Sequence, residues 1–132
     1  MEFDSILKEP FYNFGWCYSK TINFFGKENN VQFVFEAYPE SEKINTFQKE
    51  TFMKFNENIN ELSNSSSNQL NDYIKKYVDG NYTIANNVIL IEILIKSDGE
   101  TILLCEVDWD IENGLCIKVM PEYDIGPQDV FL

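Results

Sequence analysis

The sequence contains no histidine among its 132 residues. Serine and cysteine hydrolases use a histidine to activate the nucleophile, and histidine is the most frequent general acid or base in enzymes. Many catalytic zinc sites also depend on imidazole ligands. The absence therefore excludes these kinds of site and favours a function that needs no imidazole.

Cysteine is scarce as well, with only Cys17, Cys105 and Cys116 widely spaced along the chain. Three separated cysteines cannot supply a four-cysteine zinc site, and an odd number argues against a disulfide framework. Such sparse use is typical of proteins in a reducing compartment. Cys17 follows Trp16 in a predicted strand with no cation beside it, so we expect a buried, unreactive thiol.

Basic residues are also scarce: the chain has 10 basic and 22 acidic residues, and its formal net charge is −12. This excess repels the phosphates of nucleic acids and anionic membrane surfaces, so neither is an expected partner. A basic protein would be attracted. Many cytosolic proteins are acidic for solubility alone, and the charge does not choose between these two interpretations.

No apolar run is long enough to cross a bilayer, because the longest, at residues 88–95, includes Glu92 and is far too short. The acidic N-terminus lacks the basic and apolar regions of a signal peptide. We therefore expect a cytoplasmic protein. The length predicts a single domain over residues 1–132.

Patterns typical of strands lie at both ends of the chain and enclose a helical middle. Aromatic and β-branched residues favour strands over residues 11–38, with a turn at 26–30. Further strands are predicted at 88–96, 101–111 and 115–120, and possible edge pairing at 129–132. The predicted fold is α+β: an antiparallel sheet of about five to six strands, formed by an N-terminal hairpin plus a C-terminal meander, packed with two inserted helices.

The two predicted helices differ in how clearly they are marked. Asn45 and Gln48 form a potential capping box that would start the first helix near Thr46. The serine and asparagine run at residues 63–68 is expected to break or loosen it, and the second helix would end at a left-handed Gly80. The apolar stripes are Ile44, Phe47, Thr51, Phe52, Phe55, Ile59 and Leu62, then Leu70, Ile74, Tyr77 and Val78.

A two-residue type I′ turn is predicted at Asp98 and Gly99. This turn would place Ile95 opposite Ile102 and leave both faces of the hairpin largely apolar. Strands of this kind are typically central and covered on both sides. A second copy of the chain could provide such a cover, so a homodimer is compatible with the sequence.

The segment at residues 107–119 permits two hairpin registers. A four-residue loop would set apolar side chains against charged ones. A three-residue loop at 112–114 sets Trp109 opposite Ile117 and gives Gly114 the left-handed position of a bulged turn. We adopt the three-residue loop because it is consistent on both faces, and it turns Trp109 toward the core.

This register has consequences for two groups of side chains. Cys105 and Cys116 would not face each other, so no cross-strand disulfide is expected. Three acidic residues would share one face with Lys118 as their only obvious local counter-charge, and these are Glu106, Asp108 and Asp110.

The acidic string at residues 108–112 fails the test for an EF-hand calcium loop. Glycine falls at the seventh position instead of the sixth, and the twelfth residue would be Val119, which cannot ligate. An irregular oxygen-ligand metal site and a paired-carboxylate glycosidase are weaker alternatives. We predict no metal, no cofactor and no catalytic residue. The predicted partner-binding residues are Glu106, Asp108, Asp110 and Glu112, with a solvated acidic face as the plain alternative.

Aromatic side chains offer a second candidate contact surface. The segment at residues 11–16 could be exposed for binding, but packing in the core and on the sheet is the preferred interpretation. The same preference holds for Trp109, which is more typical of core packing than of ligand stacking in this position.

The chain resembles an uncharacterised bacterial domain family. The resemblance lies in the order of the elements and in two segments, VDWDIENGLCIKV at residues 107–119 and GPQD at 126–129. Members of this family often lie beside polymorphic toxin genes and are suspected immunity proteins. They typically have a histidine where this chain has Asn113, so any role of that histidine does not transfer. The resemblance implies a non-catalytic domain that binds and neutralises a toxin, for which the acidic charge suits a basic partner. The alternative is an accessory or structural domain without a toxin partner, which has a housekeeping function or is encoded by a phage.

Overall fold

The fold is given by a computed structural model that describes residues 11–12, 15–37 and 43–128. The strands are β1 (Phe11–Tyr12), β2 (Gly15–Phe24), β3 (Lys27–Glu36), β4 (Val88–Ile95), β5 (Thr101–Val107), β6 (Leu115–Met120) and β7 (Asp124–Pro127). The helices lie between β3 and β4 and are α1 (Thr46–Glu57), α2 (Ile59–Tyr77) and α3 (Ile84–Asn87).

The strands form one sheet of seven in which the spatial order follows the chain order. The α+β class and the insertion of helices between an N-terminal and a C-terminal group of strands are confirmed. A wholly antiparallel sheet is wrong, because β3 and β4 are parallel and the helical segment carries the chain from one to the other. The predicted numbers of strands and helices are too low. The elements missed are β1, β7 and α3, which have two to four residues, too few to show a periodic pattern.

The turn between β2 and β3 has two residues, not the longer turn predicted at 26–30. Phe25 and Gly26 both have a positive φ, of 56° and 74°, as a type I′ turn requires. A bulky residue rarely adopts this conformation. Packing holds it here, because the Phe25 ring is buried against Phe24 and its backbone N–H donates to the Ser63 hydroxyl at 2.8 Å.

The capping box predicted at the start of α1 is confirmed. The Asn45 side chain accepts the Gln48 backbone N–H, and the Gln48 side chain accepts the Asn45 backbone N–H. The Gln48 amide also donates to the carbonyls of Glu36 and Ile95, at 3.0 and 3.1 Å. One side chain therefore caps the helix and ties it to the ends of β3 and β4.

The serine and asparagine run at residues 63–68 does not break the helix. It lies inside α2, and the boundary between the helices falls at Asn58 instead. Ser66 is fully buried, and Ser63 bonds the β2–β3 turn, so small polar side chains stand where the helix meets the rest of the fold. Tertiary contacts override a local composition that is weak in helix formers.

The apolar faces predicted for the helices are only partly buried. Phe47 is 55% exposed and Tyr77 is 73% exposed. The left-handed glycine cap is wrong, because α2 ends with Val78 in an extended conformation. Gly80 does have a positive φ, of 108°, but it lies beyond the cap position.

The helices cover one face of the sheet and enclose an aromatic core. The Phe33 ring packs edge to face against Phe52 and Phe55, with centroid separations of 5.0 and 5.8 Å. Phe24 stacks on Phe55 at 6.2 Å. Rings of this size bury large apolar areas and dominate core energetics. Other fully buried side chains of this cluster include Phe35, Leu70, Leu90, Ile93, Ile95, Leu103 and Leu115.

The two-residue turn predicted between β4 and β5 is wrong. Gly99 has a positive φ of 86° but Asp98 does not, whereas a type I′ turn needs positive φ at both central residues. Residues 97–99 form a three-residue loop closed by hydrogen bonds at its base. The register therefore shifts by one residue, and Ile95 lies opposite Thr101.

The second face of the sheet, opposite the helices, has its own smaller apolar cluster. The prediction that both faces of the β4–β5 hairpin are largely apolar is confirmed. Cys105 belongs to the helix-covered face and Cys116 to the second face, so the expectation that they do not pair is also confirmed. The second cluster comprises Ile102, Leu104 and Cys116, with Leu94 packed against them.

Two expectations involve residues near the ends of the chain. The edge strand at residues 129–132 lies outside the described residues, as do residues 13–14 of the aromatic segment. Within that segment, Phe11 is 49% exposed and Trp16 packs partly buried against the core. The core interpretation therefore holds for Trp16 and fails for about half of the Phe11 surface.

Candidate functional site

The loop at residues 108–114 joins β5 to β6 at the end of the sheet where α3 leads into β4. β5 ends at Val107, and the last paired residues of the two strands are Cys105 and Leu115. The three-residue loop predicted at 112–114 is therefore wrong, and the connection is a longer loop with its own structure.

Hydrogen bonds inside this loop explain the difference. The Asp110 carboxylate accepts the Asn113 backbone N–H at 3.2 Å, and the Asp110 carbonyl accepts the Gly114 N–H at 2.9 Å. Aspartate commonly closes turns in this way. Gly114 has the predicted left-handed φ, of 64°, and a Cβ there would lie 2.8 Å from the Cys105 carbonyl. Glycine is required at this position for both reasons.

Trp109 anchors the loop to the core. Its predicted position opposite Ile117 is wrong, because Ile117 pairs with Leu103 and Ile125. Its predicted inward orientation is confirmed, because the indole is partly buried against the main core and meets the Tyr82 ring edge to face at 5.5 Å. The indole thus holds the loop against the core, while Asp108 beside it is exposed.

A β-bulge in β4 decides which side chains accompany the loop. Leu90 and Glu92 are paired with successive residues of β5, and Ile91 between them is left without a partner. The extra residue reverses the alternation, so Leu90 faces the helices and Ile89 lies on the second face opposite Glu106. Bulges often redirect side chains next to functional sites.

Asn87, the last residue of α3, fixes the first acidic residue of the loop. The Asp108 backbone N–H donates to the Asn87 carbonyl at 3.1 Å, and Asn87 Nδ2 donates to Asp108 Oδ2 at 2.8 Å. Asn87 Oδ1 accepts the Thr83 backbone N–H at 2.9 Å. Both ends of the amide are occupied, so the Asp108 carboxylate is held in one orientation.

A lysine secures the short helix that carries Asn87. Lys27 Nζ donates to the carbonyls of Ile84, Ala85 and Val88 at 3.3, 3.1 and 2.6 Å. Three carbonyls, two from the first residues of α3 and one from the first residue of β4, thereby share one ammonium group. This contact connects β3 to the base of the candidate site.

These elements surround a shallow hollow of about 220 Å³, which we call the acidic hollow. Two isoleucines at its sides are largely solvent-exposed, Ile89 at 53% and Ile111 at 86%. Neighbouring exposed apolar side chains are typical of contact surfaces. The acidic hollow is lined by Asn87, Ile89, Glu106, Val107, Asp108 and Ile111.

The structure brings together only two of the four predicted partner-binding residues. Glu106 and Asp108 line the acidic hollow. Asp110 is partly buried and bonded to Asn113, and Glu112 is exposed on the loop outside the hollow.

Asp110 lies close enough to Tyr73 of α2 for its charge to influence the phenol. The pKa of Tyr73 is raised, first by burial, then by the Asp110 carboxylate and by Tyr77. Asp110 therefore lies on the helix side of the loop, whereas Asp108 lies on the side of the second face, where it lines the acidic hollow.

The counter-charge expected for the acidic face is engaged elsewhere. Lys118 lies 3.7 Å from the Glu100 carboxylate, which Lys96 also approaches at 3.4 Å. The prediction that Lys118 balances the acidic face is wrong, because the β5–β6 register places it near the opposite end of the sheet. Within the described part of the chain, no ion pair engages Glu106 or Asp108.

Three other hollows on the described surface each include a lysine. One on β2 and β3 includes Lys20, and one beside α1 and α2 includes Lys54 together with Glu61. A third, along α2, includes Lys76 with Asp72. The acidic hollow differs from these three because its charged lining residues are both carboxylates.

The thiols are poorly suited to nucleophilic chemistry. Burial, with a contribution from Cys116, raises the pKa of the Cys105 thiol far above its ordinary value. Burial and the Glu92 charge raise the pKa of Cys116 to about 11. Since the thiolate is the reactive form, both groups are unreactive near neutral pH.

The described residues 11–12, 15–37 and 43–128 contain no group of three or more histidine, cysteine, aspartate or glutamate side chains that could hold a metal ion. They also contain no helix with the length and apolarity that a membrane crossing requires.

Three residues of the hollow were not singled out from the sequence. Ile89 sits in a continuous apolar run, where an alternating pattern cannot reveal a bulge. Asn87 stands in a polar segment whose short helix left no periodic signal. Ile111 did carry a usable signal, because it is an isolated apolar residue between Asp110 and Glu112.

Comparison with known protein families gives one match. The model of the domain-of-unknown-function family DUF6985 matches residues 3–132, nearly the whole chain. The chain belongs to this family. No curated protein and no solved structure matches the DUF6985 chain.

Proposed function

We propose that this DUF6985 domain is a non-catalytic protein-binding module that uses the acidic hollow and the loop at residues 108–114. One observation carries the proposal: the carboxylates of Glu106 and Asp108 lie beside two largely exposed isoleucines, with no described cation paired to them. Exposed apolar groups supply affinity when a partner covers them. Fixed charges supply orientation and speed of association.

The partner that fits this surface is a basic protein. The net charge of −12 favours its approach over long range, and the carboxylates of the hollow give a local target. The resemblance noted in the sequence makes the finer form of the proposal an immunity protein that binds and neutralises a basic bacterial toxin in the cytoplasm. This activity needs no metal, cofactor, nucleic acid or membrane.

The test is co-expression with the protein encoded by the gene next to that of this domain, which the proposal expects to be basic. We expect restored growth when that protein is toxic, and a one-to-one complex by sedimentation velocity. An unrelated acidic protein of similar size and charge is the control and should neither rescue nor bind. Absence of both rescue and complex would contradict the proposal and favour an accessory domain, for which no neighbouring toxin gene is expected.

A further inference from the structure

We infer that the acidic hollow receives a single arginine side chain presented by the partner protein. The inference rests on the proposed function and specifies its contact chemistry. Three properties of the hollow support it: its volume, the arrangement of its carboxylates, and the apolar side chains that flank them.

The volume of the hollow suits one side chain. It measures about 220 Å³, below the roughly 300–1,000 Å³ of clefts that enclose drug-sized ligands. The hollow is also open and shallow, with Ile111 at its side 86% exposed. A side chain anchored on a larger surface can dwell there, whereas a free small molecule would leave most of its surface in water.

The carboxylates favour a planar cation with several donors. Asn87 holds Asp108 through Oδ2, and Asp108 Oδ1 accepts no hydrogen bond from the described residues. The carboxylate of Glu106, a residue of β5 that lies opposite Ile89, likewise has no hydrogen-bond partner among the described residues. A guanidinium group carries five N–H donors in one plane and can bond two carboxylates at once. An ammonium group acts as a point charge.

The flanking isoleucines favour the long stem of such a side chain. Ile89 and Ile111 present apolar surface on the hollow, and the methylene groups of arginine can cover it while the head reaches the carboxylates. Covering these side chains also excludes water from the ion pair, which strengthens the attraction. The bulge at Ile91 is what places Ile89 in this position.

An NMR titration of the whole domain tests the inference without an identified partner. The probes are N-acetyl-arginine amide, its neutral isostere N-acetyl-citrulline amide and N-acetyl-lysine amide. We expect saturable shifts of the backbone amides of Asn87, Ile89, Glu106, Asp108 and Ile111 with the arginine probe, at about millimolar affinity. The lysine probe should bind more weakly, and the citrulline probe should give no saturable shift.

Substitutions locate the binding. Glu106→Gln and Ile111→Ser should each weaken the arginine probe about threefold to fivefold, because exposed ion pairs and partial apolar contacts are individually modest. Glu57→Gln is the matched control, since it removes the same charge at an exposed position at the end of α1. It should leave the affinity unchanged.

Three results would overturn the inference: equal shifts with the citrulline probe, shifts centred elsewhere on the surface, or equal affinity after Glu106→Gln and Glu57→Gln. The two proposals can fail separately. If the neighbouring gene product binds the domain but Ile111→Ser leaves that affinity unchanged, the hollow is not the contact, and of the proposed function only the binding of a protein partner stands. If the arginine probe binds at the hollow but no protein partner binds the domain, the hollow recognises arginine and the proposed function fails.

Discussion

The two faces of the sheet differ in how their side chains are used. On the helix-covered face, Phe24, Phe33, Phe52 and Phe55 are each fully buried and pack ring against ring. On the second face, the end near the loop at residues 108–114 exposes isoleucines beside carboxylates that no described cation neutralises.

This difference shows how one strand can serve stability and recognition together. Alternation along β5 sends Val107 into the core and Glu106 to the second face. In β4 the bulge at Ile91 adds a local reversal that moves Ile89 outward. Substitutions on the helix-covered face should therefore affect folding, whereas those at the acidic hollow should affect binding alone.

The largest expected effect is on the helix-covered face. Phe33→Ala removes a fully buried ring that contacts Phe52 and Phe55, and should lower the free energy of unfolding by about 3–5 kcal/mol. Urea denaturation followed by tryptophan fluorescence measures this. The control Tyr77→Ala removes an aromatic side chain that is 73% exposed and should cost less than about 1 kcal/mol. Equal losses for both variants would contradict the division between the faces.

The next largest effect on stability is expected at Lys27, which holds α3 beneath the acidic hollow. Lys27→Met removes the ammonium group that three carbonyls of α3 and β4 share, and should lower the free energy of unfolding by about 2 kcal/mol. Lys75→Met, at an exposed helical position, is the control and should change it by less than about 0.5 kcal/mol. A loss for Lys27→Met no greater than that of the control would show that the contact does not hold α3.

A smaller effect should depend on pH. Burial raises the pKa of Glu92 above its ordinary 4.5, so the folded chain holds this proton more tightly than the unfolded chain. Below pH 4.5 Glu92 is protonated in both the folded and the unfolded chain, so its ionisation does not change the free energy of unfolding. As the pH rises above 4.5 the unfolded chain ionises first, and Glu92 destabilises the fold.

Glu92→Gln should therefore raise the free energy of unfolding at pH 7 by a few tenths of a kcal/mol, a small gain because solvent screens a partly exposed group. The gain should disappear below about pH 4. Denaturation curves of both proteins across this range measure it. A gain that is constant with pH would assign the effect to something other than the charge.

The smallest expected effect on stability is at the acidic hollow. Glu106→Gln and Ile111→Ser alter exposed side chains and should change the free energy of unfolding by less than about 0.5 kcal/mol. Thermal or urea denaturation checks this directly. A loss above about 1 kcal/mol for either variant would mean that the second face also carries folding energy at this point.

Signals confined to a few neighbouring residues were predictable from the sequence. The capping box of Asn45 and Gln48 gave the start of α1, and Gly114 gave the left-handed position in the loop. In both cases the deciding interaction lies within a short stretch of chain. The inward orientation of Trp109 was also predicted correctly, but from a pairing with Ile117 that is wrong, and its observed ring contact is with the distant Tyr82.

Features set by distant contacts were not predictable. The type I′ turn at Phe25 depends on Ser63 of α2, and the serine run stays helical because of its tertiary contacts. The bulge at Ile91 has no sequence mark inside an apolar run. The register of β5 and β6 was missed for another reason: the hydrogen bonds from Asn113 and Gly114 to Asp110 are local, but the apolar pattern favoured a tighter hairpin. Sequence reasoning therefore identified Glu106 and Asp108 and missed their neighbours.

Amide hydrogen exchange of the domain, alone and with the neighbouring gene product, tests the separation of the two faces most directly. We expect slower exchange in the complex at residues 87–91 and 106–112, with no change in α1 at residues 46–57. Protection centred on the helices, or no protection anywhere, would contradict the claim that the acidic hollow is the recognition surface.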